Sequence, residues 1–363
     1  YGERVFLSPT QIETYHSCPF KYFCRYGLNA RERRPAEVDI LQYGTLMHYL
    51  LEQVFSEPQS HRARWTDDDL EAFVTRLIEV YAAENLGGID SLTSRQRYRL
   101  RRMGSSACKL IRHLELELAQ SKFVPEHTEL KLGRDFPTLR IETAGGDTVT
   151  VGGTIDRVDV LHTGGRSFVR VIDYKTGGKD FKLGDVLYGL NMQMLVYLAA
   201  LVQSGRRLPA GILYVPAAEP SVSAERGASP EEIAKAGMKE LRMSGLVLSD
   251  GEIIEAMEAG AKGVFIPAAL KKDGTPDSHS SVLSEGELLR VLEYSKRLIA
   301  SMGLELLRGT AQAKPNMKNR NACRFCPYSA VCGMELGDRD VENERLSQKE
   351  AMAEIDKRLE EIK

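Results

Sequence analysis

Two stretches alternate apolar and polar residues with the period of half-buried strands: Val149 to His162 and Ser167 to Lys175. The linker between them, Thr163-Gly164-Gly165-Arg166, centres on a Gly-Gly pair that accepts positive φ at both positions and so predicts a two-residue hairpin. That turn fixes a register pairing Val160 with Val169, Val158 with Val171, Leu161 with Phe168, and Asp159 with Arg170. Apolar residues then meet apolar ones, and the opposed charges have opposite signs. Elsewhere the apolar positions recur at three and four, predicting helices over Tyr43–Val54, over Asn191–Leu201, and as two or three segments within Thr66–Gln120. Ser8 followed by Pro9 predicts a helix start near the N-terminus. Glu126–Gly133 and Ala210–Pro216 read as further strands, Ser229–Met243 as helix-prone, and Asp273-Gly274 as a turn. Strands interleaved with helices predict an α/β fold.

With 363 residues the chain can bury a large core. Its 49 basic and 51 acidic residues nearly cancel, so any nucleic-acid contact must come from local patches. Arg95–Arg102 (RQRYRLRR) is the strongest such patch, readable either as a strand-tracking surface or as an ordinary solvated helix face. Arg31–Arg34 (RERR) is a smaller one. No apolar run approaches a membrane span and no signal peptide is visible, which predicts a cytoplasmic protein. No G-x-x-x-x-G-K-[ST] loop occurs, so ATP hydrolysis is not expected of this chain. It opens at Tyr1 rather than at methionine, as a piece of a longer protein would.

The hairpin register carries the chemistry. It sets Asp156 across from Asp173, on the face that also bears Lys175. Two adjacent carboxylates repel unless a divalent cation lies between them, and a nearby lysine can then orient or activate a water. The alternative is a solvated face on which Lys175 neutralises Asp173. Near the C-terminus Cys323, Cys326 and Cys332 form C-x2-C-x5-C, three thiols that need a fourth ligand. Cys18 is the candidate, with Cys24 as runner-up, and four thiolates suit either a [4Fe–4S] cluster or structural zinc. Cys108 falls in a helical stretch and reads as core.

The sequence G-T-I-D followed by I-D-Y-K-T-G resembles the core of the PD-(D/E)XK nuclease superfamily in its RecB-like branch. Three further features strengthen the likeness. Gln193 and Tyr197 lie four apart on one helical face, similar to the Q-x-x-x-Y motif of that branch. Gly44, His48, Leu51 and Glu52 match G-x-x-x-H-x-x-L-E, its first motif. One remote cysteine followed by C-x2-C-x5-C is the pattern of the iron–sulfur nucleases, AddB and Cas4 among them. The middle of the chain, GMKELRMSGLVLSDGEIIEAM then IPAALKKDG, is similar to the nuclease domain of the AddB family and has no counterpart in a minimal Cas4-like enzyme.

The resemblance implies a restriction-endonuclease-like mixed sheet flanked by helices, with a helical lobe and an iron–sulfur clasp. It implies a metal-dependent DNA exonuclease, hydrolysing phosphodiesters of single strands, within a helicase–nuclease that processes double-strand breaks for recombination, alongside an AddA-type partner subunit. His48, Asp156 and Asp173 would hold Mg²⁺ or Mn²⁺, with the Tyr174 carbonyl as a further ligand. Lys175 would position water or stabilise charge on the phosphate, while Gln193 and Tyr197 align a single strand fed from a duplex end. Cys18, Cys323, Cys326 and Cys332 would hold the [4Fe–4S] cluster. Glu129 falls where the family often has an acidic residue beside the metal. The expected divisions are an N-terminal segment (1–35), a helical lobe (36–125), the nuclease core (126–216), a family-specific insertion (217–300) and a C-terminal cluster segment (301–363). The competing readings are a stand-alone Cas4-like exonuclease and a nuclease fold that only clamps DNA or a partner.

Overall fold

A computed structural model describes residues 5–31, 43–177, 181–218, 227–316, 322–335 and 344–361. Its strands are β1 (Val5–Leu7), β2 (Val124–Leu132), β3 (Leu139–Glu142), β4 (Thr148–Val151), β5 (Gly153–Thr163), β6 (Arg166–Lys175), β7 (Leu208–Pro216), β8 (Ser244–Leu248) and β9 (Val282–Leu283). The hairpin lies inside a six-stranded mixed sheet of order β2-β5-β6-β7-β8-β9. Its register is the one that the turn predicts: Leu161 pairs with Phe168, Val160 with Val169, Asp159 with Arg170 and Val158 with Val171. Gly164 and Gly165 take φ of 56° and 73°, the left-handed values such a tight turn needs.

The alternation over Val149–His162 does not make one strand. Val149–Val151 belong to β4, in a separate three-stranded sheet of order β1-β4-β3, and the chain enters the central sheet only at Gly153. The glycine pair permits the crossing by close approach. A Cβ on Gly152 would lie 2.6 Å from the Phe6 ring, and one on Gly153 would lie 2.8 Å from the Tyr197 hydroxyl. Neither β1 nor β3 is evident from the sequence pattern.

Both faces of the central sheet are covered. Val158, Val160, Val169 and Val171 enter a core shared with helices Pro9–Ser17, Gln193–Val202, Glu285–Leu307 and Gln348–Glu361. Leu161, Phe168, Ile172 and Tyr174 enter a second core with helices Tyr43–Ser56, Asp67–Asn85 and Ser94–Gln120. The period of two therefore separates two apolar layers rather than core from solvent. Residues 217–300 supply β8 and β9 to the sheet and the N-terminal part of helix Glu285–Leu307.

One buried layer is ionic. Arg157, Asp159 and Arg170 from the hairpin and Glu117 from helix Ser94–Gln120 are all 0% exposed. Arg170 Nη2 donates to Glu117 at 2.7 Å, and Arg157 Nε lies 2.9 Å from Asp159. Two cations and two anions cancel, as burial of charge requires. The sequence suggested only the Asp159–Arg170 opposition.

Ser8 caps its helix through a reciprocal pair with Gln11, as expected. Of the RERR patch, Arg31 is exposed and Glu32, Arg33 and Arg34 lie outside the described residues. Among the described residues no helix is long and apolar enough to cross a membrane.

Candidate active site

The sheet builds the site as a row across three neighbouring strands. The β5–β6 ladder ends at the Arg157–Ile172 pair, and its register continued by one residue would set Asp156 opposite Asp173. On the other side β2 pairs Thr128 with Arg157 and Leu130 with Ile155, which brings Glu129 opposite Asp156. Glu129 itself has φ of 49°, a left-handed conformation that costs a non-glycine residue on the order of 1 kcal/mol. Such strain is typical of functional positions.

Helix Tyr43–Ser56 packs against β2 and brings His48 to this row. His48 Nδ1 lies 3.3 Å from Asp156 Oδ2 and 3.8 Å from Glu129 Oε1. Ligand atoms of His48, Glu129 and Asp156 all fall within 4.8 Å of one another, close enough to share one cation. Hydrogen bonding to Asp156, then to Glu129, pushes the imidazole pKa up to about 10 against the opposing effect of burial. An imidazolium thus neutralises the carboxylates when no cation is present. Glu52, from the same helical motif, has its carboxyl pKa raised by burial and then by Glu129.

Asp173 is 2% exposed, so this face is not solvated there, although Lys175 does pair with Asp173 as the alternative reading expected. Its Oδ1 accepts from Gln193 Nε2 at 2.8 Å, and its Oδ2 lies 2.6 Å from Lys175 Nζ. Lys175 Nζ also donates to Gln193 Oε1 at 3.2 Å, so one amide bridges the acid and the base and its orientation is fixed. Asp156 Oδ2 accepts from the Tyr174 backbone N–H at 2.8 Å. The repulsion expected between Asp156 and Asp173 is therefore met within the chain, since each carboxylate has its own donors. The Tyr174 ring points into the opposite layer, where its hydroxyl is 3.3 Å from Arg157 and burial pushes its pKa up to about 12.

Helix Gln193–Val202 holds Gln193 and Tyr197 on the face that meets the row. Its first turn is capped from afar: Glu13 Oε1 accepts from the backbone N–H groups of Met192 (3.1 Å) and Gln193 (3.4 Å). The Tyr197 phenol, beside the Gln193 side chain and the Thr154 backbone, has its pKa raised by burial and then by Asp156. It therefore stays protonated. Sequence reasoning missed Glu13, whose only signal is a polar residue in an otherwise ordinary first helix. It also missed Tyr214, whose ring lies 5.8 Å from Lys175 Nζ.

The cysteines of the two chain ends meet. Cys18, Cys323, Cys326 and Cys332 line one cavity of about 70 Å³, with Phe20, Lys21 and Met334 among its other walls. Backbone bonds hold the two segments together: Asn316 N donates to Ser17 O at 2.8 Å, and Phe20 N to Gln312 O at 3.0 Å. Burial, then Cys18, Cys326 and Cys332, raise the pKa of the Cys323 thiol. Cys24 is close enough to feel Cys326, Cys18 and Cys332, yet it is not among the cavity's walls. Cys108 packs against the second core, and burial pushes its thiol up to about 11.

A profile of the PD-(D/E)XK nuclease superfamily matches residues 6–333. The chain is 36% identical over 348 residues to the B-subunit of the ATP-dependent helicase/deoxyribonuclease of Clostridium tetani (strain Massachusetts / E88), covering 92% of this chain and 30% of that protein. It is 35% identical over 354 residues to the protein of that name from Thermoanaerobacter sp. (strain X514), with the same coverage of 92% and 30%. The Caldanaerobacter subterraneus subsp. tengcongensis relative is 34% identical over 363 residues, covering 96% of this chain and 31% of its own length. The chain thus spans about 30% of the length of these curated relatives.

Proposed function

Since the chain belongs to the PD-(D/E)XK nuclease superfamily, we propose that it is the metal-dependent nuclease domain of a helicase–nuclease, hydrolysing phosphodiesters in single-stranded DNA. The observation that carries this is the row Glu129–Asp156–Asp173 flanked by His48 and Lys175. The relatives' shared name, which joins helicase to deoxyribonuclease, supports the same reading, while the AddA-type partner and the role at double-strand breaks rest on the resemblance of the motifs.

The donor set, one imidazole and clustered carboxylates, fits Mg²⁺ or Mn²⁺, with the imidazole favouring manganese. His48, Glu129 and Asp156 would hold the ion, with Asp173 and the Tyr174 carbonyl beside them. A bound cation supplies Lewis-acid polarisation of the phosphate and a more acidic water. Lys175 places an ammonium where negative charge develops on the phosphate, and Gln193 holds that ammonium in position. The Tyr197 hydroxyl, kept protonated, is a donor for the substrate backbone.

Cys18, Cys323, Cys326 and Cys332 would hold a [4Fe–4S] cluster, and four thiols around one cavity fit such a group. Its role would be structural, because none of the four lies in the D-(x16)-D-x-K motif.

Incubating the purified chain, without ATP, with labelled single strands and with blunt duplex tests the proposal. Single strands should be cut with Mg²⁺ or Mn²⁺ and duplex should resist. Intact single strands with both metals would refute the nuclease, and rapid digestion of blunt duplex would refute dependence on a strand-separating partner.

A further inference from the structure

The basic patch at Arg95–Arg102 is not used by the site described above. It occupies the first turns of helix Ser94–Gln120, whose start is fixed by a reciprocal pair between Thr93 and Gln96. Leu100 and Met103 point into the second core, while Arg95, Tyr98, Arg99, Arg101 and Arg102 are exposed. Tyr98 is 60% exposed, with Arg95 three residues before it and Arg101 and Arg102 three and four after it. These spacings put the guanidinium groups around a single aromatic ring on the solvent side.

Three features set this surface apart from an ordinary solvated helix. First, its own stretch of helix is free of acid: no Asp or Glu occurs from Ser91 through Leu114, in a chain whose charges otherwise almost cancel. Arg95, Arg99 and Arg101 have no ion-pair partner among the described residues. Second, the arrangement works against the helix. Arg95 with Arg99 and Arg97 with Arg101 are like charges four apart, and all sit near the positive end of the helix dipole. Third, a large aromatic ring is left at the centre of the charged face, where packing does not require it. A polyanion reverses the first two costs, and an unpaired base uses the third feature as a stacking surface.

We propose that the N-terminal turns of helix Ser94–Gln120 are a track for single-stranded DNA, with Tyr98 stacking a base and Arg95, Arg101 and Arg102 contacting flanking phosphates, a proposal that takes only its substrate class from the nuclease reading above. Tyr98 lies about 28 Å along the helix axis from Glu117, nineteen residues at about 1.5 Å each. Glu117 in turn touches Arg157, the neighbour of Asp156. The track is therefore remote from the scissile bond and grips a distal part of a long strand.

The test is the binding of a fluorescein-labelled, mixed-sequence single strand, followed by anisotropy across a salt series in EDTA so that nothing is cleaved. Arg95→Gln combined with Arg101→Gln should weaken binding and reduce the slope of log K against log salt by about 1.4, two phosphates at about 0.7 each. Tyr98→Ala should weaken binding at least about fivefold at every salt concentration without changing the slope, and Tyr98→Phe should restore it. Thermal melting serves as the fold control, and the double arginine variant should melt no lower than the parent. Parental slope and affinity in both the arginine variant and Tyr98→Ala would overturn the proposal, as would a parent chain that binds no single strand and instead retains a protein partner through this face. Because the assay needs no metal, an inactive chain that shows these losses would sink the nuclease reading alone. An active chain without them would sink the track alone.

Discussion

Lys175 Nζ lies 2.6 Å from Asp173 Oδ2, and the Gln193 amide bonds to both residues. Lysine and acid thus hold each other in place before any cation arrives. Lys175→Ala should lower cleavage on the order of a hundredfold or more while Mn²⁺ binding by calorimetry persists. Asp173→Ala should abolish cleavage and also lower stability by about 1–3 kcal/mol, because it strips the buried acceptor from two donors. Crowded carboxylates alone would have given the opposite sign. A thermal midpoint that rises in metal-free Asp173→Ala would show that repulsion still dominates.

Glu129 separates metal binding from backbone strain. Both Glu129→Ala and Glu129→Gly should weaken Mn²⁺ binding, since each removes a carboxylate from the ligand set. The glycine variant should be the more stable of the two by about 1 kcal/mol, because φ of 49° costs alanine and not glycine. Equal melting of the two variants would mean that the chain relaxes at this position.

Gly153 sets how closely helix Gln193–Val202 meets the start of β5. Gly153→Ala would put a methyl group 2.8 Å from the Tyr197 hydroxyl and should displace Gln193 and Tyr197 together. Activity should fall on the order of tenfold or more, since small displacements of positioning groups are costly to catalysis. Adding Tyr197→Phe removes the nearest clashing atom and should recover part of any loss in thermal midpoint, though not activity, since it also removes the proposed substrate donor. A double variant that melts no higher than Gly153→Ala would place the damage elsewhere.

Cys18 and Cys323 would close a loop around the whole nuclease core. By analogy with a cross-link, closure of so long a loop is worth up to about 5 kcal/mol. Cys18→Ala should lose the brown iron–sulfur absorbance and expose both ends of the chain to protease. Zinc without iron or sulfide, after anaerobic purification, would replace the cluster while leaving the clasp. Full absorbance and unchanged protease resistance in Cys18→Ala would transfer the ligand role to Cys24.

Glu117 tests the ionic layer. Glu117→Ala leaves Arg157 and Arg170 with Asp159 as their one remaining carboxylate in that buried layer, and should cost about 3–5 kcal/mol in denaturant unfolding. Replacing the entire set with apolar residues of similar volume should cost much less. A loss below about 1 kcal/mol in Glu117→Ala would show that water enters the layer.

The sequence by itself determined the hairpin, its register and the facing of Asp156 and Asp173. A period of two and a Gly-Gly turn act over a few residues, and a one-residue slip would reverse every side chain. The same locality made Gln193 and Tyr197 legible as one helical face. It misled at Gly152-Gly153, where alternation runs on while the chain changes sheets, because a period reports a face and not the partner strand. Glu13, Glu117 and the weight of Glu129 belonged to the tertiary structure alone. Each comes from an element distant in the chain, chosen by which apolar surfaces pack together. The meeting of Cys18 with Cys323, Cys326 and Cys332 was suggested by ligand count, but only the packing of the two end segments brings the four sulfurs around one cavity. Local pattern fixes which way a side chain points, whereas long-range packing decides what it meets there.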